Sequence, residues 1–592
     1  PPPAVVDWIR ANAVPIRTAE AGHGFDDLEP LRETIGDARV VALGEATHGT
    51  REFFQLKHRM LEFLVARMGF DGFAIEANMP EAFDVNDYVL TGRGDPEKAL
   101  AGLYFWTWDT QEVLDLIRWM RRWNNDPAHR TKVKFYGIDM QYPTRAAGNA
   151  LEFLRRLDPA AADSADRTLR PLADPYRTRR GFGAQGSGLP TAAAADSALR
   201  WLAARLERPA GRDRMHASDR EFVRARQDVR VVQQWLDLTS ASGPAARDRA
   251  MAENVQWILD TGEPGSKLVV WAHNGHVSMA EPGAGAAGMG HALHAALGPD
   301  LVVFGFAFDR GDFQAVDAAP GGARGLAPFH VGPARSGSLD DAMSRGGNPI
   351  AALDLRRLPG SGEAADWFSR PQWTRSIGAV YADTFAERYY ARLVPTESFD
   401  ALLFVDSTSA ARANARGARV STGPKAAPGN LDFERGALGQ PPPDWTGPMR
   451  LAADNYRAET RRDDARSGSL CGTLRRIGSR SYGETYGALE QVLDAAPYRG
   501  KRVRLSALVR VEPGSPRDEA FLQLRASSPP GKPGFSAGME ETPIRARGWR
   551  RYVVEGDIPP EAGTIAFGLA FVGKGAAWID DVTLESGALE NP

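Results

Sequence analysis

The chain of 592 residues has a single cysteine, Cys471. No internal disulfide can form, and the cysteine count leaves the compartment open. No uninterrupted apolar run reaches the roughly 20 residues that a membrane-spanning helix needs. Basic charge is not in excess: the formal net charge is −3, so no global positive field points to nucleic acid as a partner. No Gly-x-Ser-x-Gly elbow stands at a predicted strand end, and Cys471 falls in a predicted β region, which disfavours a covalent serine or cysteine mechanism. Neither a Walker loop nor a dinucleotide-binding glycine pattern follows the first predicted strand. Histidine is scarce too, ten in all, which gives weight to where each one falls.

What the chain does have is length and alternation. Its size exceeds one hydrophobic core and favours two to four domains. Over residues 1–412 short apolar strands alternate with amphipathic helices, the pattern of an α/β domain with a mainly parallel sheet flanked by helices. Strands are expected at 39–43, 72–76, 133–138, 267–272, 301–307 and 401–405, several of them apolar on both faces, as strands covered on both sides are. Helices are expected at 51–68, 110–123 and 219–238. Residues 145–262 read as a helical insert capping the site, and the Gly/Pro-rich 309–349 as a long loop. A linker rich in Ala, Gly, Arg and Pro is read at 413–429. From 430 to 592 the apolar period drops to two, with Val503, Leu505, Ala507, Val509 and Val511 on one face. Short strands follow at 520–526, 549–554, 564–571 and 577–584, which predicts a C-terminal all-β sandwich.

Ligands of an open parallel sheet bind beyond the carboxyl ends of its strands. Strand 39–43 runs into Gly44, Glu45 and His48; 72–75 into Glu76; 133–138 into Asp139; 267–272 into His273 and His276. Two histidine-bearing segments and three carboxylates therefore converge on one edge. In Gly44-Glu45-Ala46-Thr47-His48-Gly49-Thr50 the glycines are expected to permit a tight turn, and Thr47 or Thr50 to cap the helix that follows. A histidine there suits general-base work near neutrality. Glu45 would orient its ring; the plainer reading is that Glu45 only pairs with Arg51. Two histidines three apart, with carboxylates elsewhere, also suit zinc or another divalent ion. From the residues alone, His48, His273, His276, Glu45 and Glu76 fit either a metal shell or a metal-free acid/base site. The aromatic run Tyr104-Phe105-Trp106-Thr107-Trp108 is either core or the wall of a cleft for a bulky apolar or sugar-bearing ligand, and Asp139 and Met140 join Tyr104, Phe105, Trp106 and Trp108 as substrate-facing candidates.

These residues match a known pattern. Val41-Ala42-Leu43-Gly44-Glu45-Ala46-Thr47-His48-Gly49-Thr50-Arg51-Glu52-Phe53 resembles the signature of the erythromycin esterase family. Further matches follow in the same order, at Phe73-Ala74-Ile75-Glu76-Ala77, 106–113, Tyr136-Gly137-Ile138-Asp139-Met140-Gln141, Arg247-Asp248, 251–254, Trp271-Ala272-His273-Asn274-Gly275-His276 and 399–406, so the resemblance spans roughly residues 4–412. It implies an α/β core with a helical cleft and a metal-independent hydrolase of carboxylic esters or lactones. The family's best-known members open the lactone ring of macrolide antibiotics, so antibiotic resistance is one biological reading. Carried over by motif, His48 would be the base that activates water. Glu45 and Glu76 would hold and polarise the water and the histidine, and Arg51 would tie the carboxylates or meet developing negative charge. His273 and His276 would line the site and assist proton transfer or oxyanion stabilisation. The characterised members of the family lack a C-terminal β domain. Here Asn430-Leu431-Asp432-Phe433-Glu434 opens one and Trp578-Ile579-Asp580-Asp581-Val582 nearly closes it, and the pair resembles carbohydrate-binding-like jelly rolls. That second resemblance implies a carbohydrate partner, an exported protein, and Glu434, Asp580 and Asp581 as candidates for a structural calcium; a plain packing module is the other reading.

The expectation is thus an ester- or lactone-cleaving hydrolase acting on a small molecule, with no cofactor in the catalytic site. The alternatives are a transferase or cyclising enzyme that uses a substrate hydroxyl, a divalent-metal-dependent hydrolase, and a non-catalytic cell-envelope binding protein, against which the complete histidine and carboxylate set argues. A start at Pro1-Pro2-Pro3 fits a trimmed chain or a mature form, so a periplasmic or secreted location after signal-peptide removal is expected, with the cytoplasm as the alternative.

Overall fold

Strands apolar on both faces must be covered on both sides, and a computed structural model places them at the centre of a mixed sheet. The structure describes residues 1–178, 188–207, 217–239, 243–281, 288–318, 326–414, 424–448, 451–462, 465–478, 485–528 and 534–588. They form two compact units, one of residues 1–141, 237–318 and 326–414, the other of 142–236 and 424–588.

The strands of the first unit are β1 Val14–Pro15, β2 Val40–Leu43, β3 Gly72–Asn78, β4 Lys134–Asp139, β5 Leu268–Trp271, β6 Leu301–Asp317, β7 Leu326–Val331, β8 Ile350–Asp354, β9 Gln372–Arg375, β10 Val380–Tyr381, β11 Tyr390–Leu393 and β12 Ala401–Thr408. Among the described residues the main sheet runs β1-β8-β12-β6-β2-β5-β3-β4, with β7 and β10 beside β6. From β12 to β4 every neighbouring pair on this path is parallel, while β8 is antiparallel to β1 and β12. Every residue of β2, β3 and β5 is buried. The Arg51–Met68 helix turns Phe53, Phe54, Leu61 and Leu64 inward and stops at Gly69, which takes the left-handed conformation at φ 75° that favours glycine. Each such Leu or Phe contributes about 1.5–3 kcal/mol by its burial.

Two expectations are corrected here. Residues 309–349 are not one long loop: β6 continues to Asp317, burying Gly311, Phe313, Ala315 and Asp317 in alternation, and pairs with β7 as an antiparallel ribbon, while Leu339–Arg345 is helical. The glycine and proline content hid that period of two. The helical insert read at 145–262 divides between the units. The helices Thr144–Leu157, Pro159–Leu169, Pro175–Thr178 and Ala192–Glu207 belong to the second, whereas Gly243–Thr261 belongs to the first and packs on β4, its Asn254 Nδ2 donating to the Ile138 carbonyl at 2.8 Å. Of the linker read at 413–429, residues 415–423 lie outside the described residues.

In the second unit the strands are β13 Tyr456–Arg461, β14 Cys471–Arg476, β15 Gly487–Asp494, β16 Lys501–Glu512, β17 Glu519–Ser527, β18 Phe535–Gly538, β19 Arg550–Asp557, β20 Thr564–Val572 and β21 Ala576–Ala588. They pair antiparallel in two sheets, β13-β14-β21-β16-β19 and β15-β20-β17-β18, around a core that includes Val503, Leu505, Ala507, Val509, Val511, Leu522, Leu524 and Phe567. This is the sandwich expected from the period of two. Glu434 Oε1 accepts the backbone N–H groups of Ser469 and Leu470 at 2.7 and 2.9 Å, Asp580 Oδ2 accepts those of Arg466 and Ser467 at 2.8 Å each, and Asp581 pairs with Arg551. These acids therefore hold one turn and one arginine; among the described residues no group of three or more His, Cys, Asp or Glu is arranged to take a metal ion. No described helix is long and apolar enough to cross a membrane.

The Asp219–Leu238 helix buries Asp228, and burial drives its carboxyl up to about 7 against the pull of Arg224 and Asn149. An unfolded aspartate titrates near 3.9. Between these values the folded chain keeps a proton that the unfolded chain has released, so this group costs stability as pH rises from about 4 to 7, at up to about 1.4 kcal/mol per pH unit. Asp228→Asn is expected to leave stability near pH 4 unchanged and to raise it at pH 8, as read by thermal denaturation at both values.

Candidate active site

Because β2, β5, β3 and β4 are adjacent and parallel, their carboxyl ends line one edge at the usual spacing of about 4.8 Å per strand. Each delivers polar side chains there. β2 leads through Gly44 into Glu45, and His48 precedes the Arg51–Met68 helix. The glycines serve a purpose other than the expected turn, since neither has a positive φ. A Cβ on Gly44 would collide with Asn274 Oδ1, and one on Gly49 with the Gln314 carbonyl. Asn274 in turn locks the end of β5 to β6, accepting from the Phe306 N–H at 3.0 Å and donating to its carbonyl at 2.7 Å. Neither threonine caps the helix: the Thr47 and Thr50 hydroxyls bond each other at 2.6 Å.

Glu45 is fully buried. Its Oε1 lies 2.6 Å from His48 Nδ1, and its Oε2 accepts from Lys57 Nζ and Trp271 Nε1, both at 2.7 Å. Burial raises its pKa, but the Lys57 charge and the His48 contact outweigh this and hold it below its ordinary value. An ionised carboxylate only accepts, so the His48 proton sits on Nδ1 and the lone pair on Nε2. That Nε2 makes no hydrogen bond among the described residues. The His48 ring stands edge-on to Trp108, 5.9 Å between centroids, and 5.0 Å from His273. Lys57 is fully buried, 4.3 Å from the Trp271 ring centroid; burial takes it down to about 8 against the pull of Glu45.

A second cluster gathers around Arg247 of the Gly243–Thr261 helix. Arg247 Nη2 is 2.7 Å from both Glu76 Oε1 and Asp139 Oδ2. His276 Nδ1 is 2.7 Å from Asp248 Oδ1, and its Nε2 is 3.3 Å from Glu76 Oε1 and 3.0 Å from Arg247 Nη1. Two carboxylates thus hold the guanidinium and a third, Asp248, holds His276, and the surplus negative charge keeps a proton on His276: burial pulls the imidazole down, but Glu76 and Asp248 hold it up at about 10. Its Nε2–H then points to Glu76, and the approach to Arg247 is a contact between two donors. Burial likewise raises Glu76, and His276 and Arg247 reverse that, keeping it well below the ordinary carboxylate range. The β3–β4 register shifts between Ile75 and Asn78, a bulge that re-aims Glu76, and Gly137 makes room for it where a Cβ would strike the Ala77 and Asn78 carbonyls. His273 is the opposite of His276. Burial and then its two neighbouring imidazoles bring it down to about 3. Its Nδ1 accepts the Gly275 N–H at 3.2 Å, which leaves the proton on Nε2, 3.3 Å from the Ile377 carbonyl.

The structure therefore brings Glu45, His48, Glu76, Asp139, His273 and His276 together. It does not give Arg51 the place expected: Arg51 Nε faces Glu112 at 3.7 Å, and the cations on Glu45 and Glu76 are Lys57 and Arg247. Asp139, read as substrate-facing, is fully buried and accepts from Arg247, Gln141 Nε2 and the Met140 N–H, so it positions Arg247; Met140 is buried as well. Trp108 walls the site, its Nε1 donating to the Glu76 carbonyl at 2.8 Å. Tyr104, Phe105 and Trp106 stand half-buried in the turn before it, Tyr104 at φ 69°. Sequence reasoning missed Lys57, Trp271, Arg247 and Asp248 as functional groups. Lys57 had a signal: it lies three and four residues from Phe54, Phe53 and Leu61, a lysine on the apolar stripe of its helix. A divalent ion would need several lone pairs aimed at one point; between Glu76, Asp139 and His276 the Arg247 guanidinium occupies that point.

Residues 65–408 match the family model described as erythromycin esterase. An erythromycin esterase type II from Escherichia coli is 25% identical over 383 residues, covering 60% of this chain and 89% of that protein. Among solved structures, a Bacillus cereus protein superposes with a TM-score of 0.60 at 24% identity, over 69% of this chain and 98% of the other. An erythromycin esterase mutant in its open conformation does so with a TM-score of 0.51 at 18% identity, over 66% and 96%. Both share this chain's fold over those spans.

Proposed function

The chain belongs to the erythromycin esterase family, and from that premise we propose that it is a hydrolase cleaving a carboxylic ester or lactone with water activated by His48. The observation that carries this reading is the His48–Glu45 pair, in which Nδ1 is held by a buried carboxylate and Nε2 is left with its lone pair. His48 Nε2 takes a proton from water as the water oxygen attacks the carbonyl carbon. The tetrahedral intermediate then collapses as the ester C–O bond breaks, and the His48 imidazolium returns the proton to the departing alkoxide. Glu45 stabilises the imidazolium that forms; fixed by Lys57 and Trp271, it orients the ring and does not take the proton itself. Protonated His276 and Arg247 supply positive charge toward the oxyanion of the tetrahedral intermediate. Ile377, whose carbonyl meets His273, also lines a cavity of about 330 Å³ with Tyr381, Tyr389, Tyr390 and Arg335. The tyrosine rings of this cavity offer apolar area for a bulky ring-bearing substrate.

The purified protein is expected to hydrolyse members of a panel of macrolides, simple lactones and aryl esters in the presence of EDTA, and in oxygen-18 water to place the label in the carboxylate product. Activity lost to the chelator and restored by zinc would establish the metal-dependent reading instead. Acyl transfer to an alcohol, with no label incorporated, would establish a transferase.

A further inference from the structure

The second unit carries an open cavity of about 1370 Å³ that takes no part in the site above. Its walls come from the helices Thr144–Leu157, Pro159–Leu169 and Pro175–Thr178 and from the β-sandwich of the same unit. Although the whole chain carries a net charge of −3, among the described residues nine arginine and lysine side chains line this space against five carboxylates. The excess is concentrated. The guanidinium Nη2 atoms of Arg155, Arg170 and Arg517 all converge on one oxygen, Asp166 Oδ1, at 3.1, 2.7 and 3.3 Å. Arg177 and Arg545 share Glu519, one on each of its carboxylate oxygens. With the exposed Asp163, 3.5 Å from Arg155, and Asp174, 3.3 Å from Arg177 Nε, five arginines share four carboxylates at these two points. Arg517 registers the crowding: burial first, then the charges of Arg170 and Arg155, loosen its hold on its proton. The three guanidiniums around Asp166 are a third to a half exposed, so they can reach a ligand without breaking the core.

Clustered guanidiniums with too few counter-charges are matched by planar or tetrahedral anions, which they bind through paired N–H donors. The cavity exceeds the 300–1,000 Å³ typical of a site for one small molecule, so it has room for an oligomer. Tyr456 is the sole aromatic among the described lining residues and is buried at 2% exposure, so no stacking platform for nucleobases is present. Among the described lining residues only Ile477 and Val572 are sizeable aliphatics, which leaves little to hold the apolar side chains of a peptide. Polar groups such as Asn149, Thr485 and Ser515 complete the wall and suit sugar hydroxyls. We propose that this cavity binds an acidic oligosaccharide, its anionic groups held by Arg155, Arg170 and Arg517.

Calorimetric titration of the full chain tests this with hexagalacturonate and a heparin hexasaccharide as carboxylated and sulfated probes, and with xylohexaose, hexaglutamate and inorganic sulfate as comparators. At least one acidic sugar is expected to bind at least about tenfold tighter than every comparator, and added salt to weaken that binding. Which of the two binds tells whether carboxylate or sulfate is the anionic group. The double variant Arg170→Gln with Arg517→Gln is expected to lose about tenfold or more in affinity, while Arg170→Lys with Arg517→Lys keeps an intermediate value. Failure of both acidic sugars to bind would overturn the proposal. So would equal binding of xylohexaose, hexaglutamate or sulfate, or unchanged affinity in a glutamine variant with the wild-type circular dichroism spectrum.

Discussion

His48→Ala is expected to lower kcat/KM for ester hydrolysis by on the order of 10³-fold, within the range a positioned general base supplies. The size follows from where the ring sits. His48 holds the free imidazole nitrogen of the site, whereas His276 is held protonated and His273 neutral with its Nδ1 already engaged. Neither can take over as base: a protonated imidazole has no lone pair, and one with a pKa near 3 is too weak. The fold should survive the change. Glu45 keeps Lys57 and Trp271, and no main-chain group depends on the His48 side chain. Glu45→Gln should cost less, because the ring remains and only its orientation and the stabilisation of its charged form are lost. Steady-state kinetics on one hydrolysed probe, with thermal denaturation as a control for folding, checks both. An alanine variant that keeps most of its activity contradicts the assignment of the base.

Arg247→Met is expected to destabilise the first unit by about 3–5 kcal/mol, the usual cost of removing one member of a buried ionic network. Without the guanidinium, Glu76 keeps His276, while Asp139, fully buried, keeps Gln141 Nε2 and the Met140 N–H and no cation among the described residues. The carboxylates must then take up protons or repel each other. The variant should therefore lose less stability at low pH than at neutral pH, since protons bound in the folded state relieve the repulsion. Adding Asp139→Asn removes one of the uncompensated charges and should recover part of the loss, so the two changes are not additive. Urea denaturation of the two single variants and the double variant measures the coupling. Strictly additive losses would mean that Arg247 does not act by neutralising Asp139.

Much of this site is legible in the sequence because of the strands. A short run such as Val40–Leu43, apolar on both faces, has few places to go except the middle of a covered sheet, and the polar residues directly after it must then stand at the sheet's edge. Glu45, Glu76, Asp139 and His273 all follow from that one argument. Helix-borne residues do not, because a helix's rotation about its axis is set by packing. Arg51 and Lys57 are six residues apart on one helix, about 120° around it, so they cannot both face Glu45. The motif drew attention to Arg51, but the buried stripe belongs to Lys57. Arg247 and Asp248 depend on how Gly243–Thr261 packs on β4, a contact across more than a hundred residues of chain. The role of Gly44 was hidden for the same reason, since its reason for being glycine is Asn274, 230 residues further on.

The claim at the centre of this account is that a neutral imidazole at position 48 removes a proton from water, and chemical rescue of His48→Gly measures that most directly. Folded to the wild-type circular dichroism spectrum, the variant is expected to hydrolyse the probe ester at roughly a hundredth of the wild-type rate or less. Added imidazole should restore hydrolysis in step with its unprotonated fraction. A glycine variant as fast as wild type without imidazole, or a slow one whose rate does not respond to imidazole at any pH, would contradict the account.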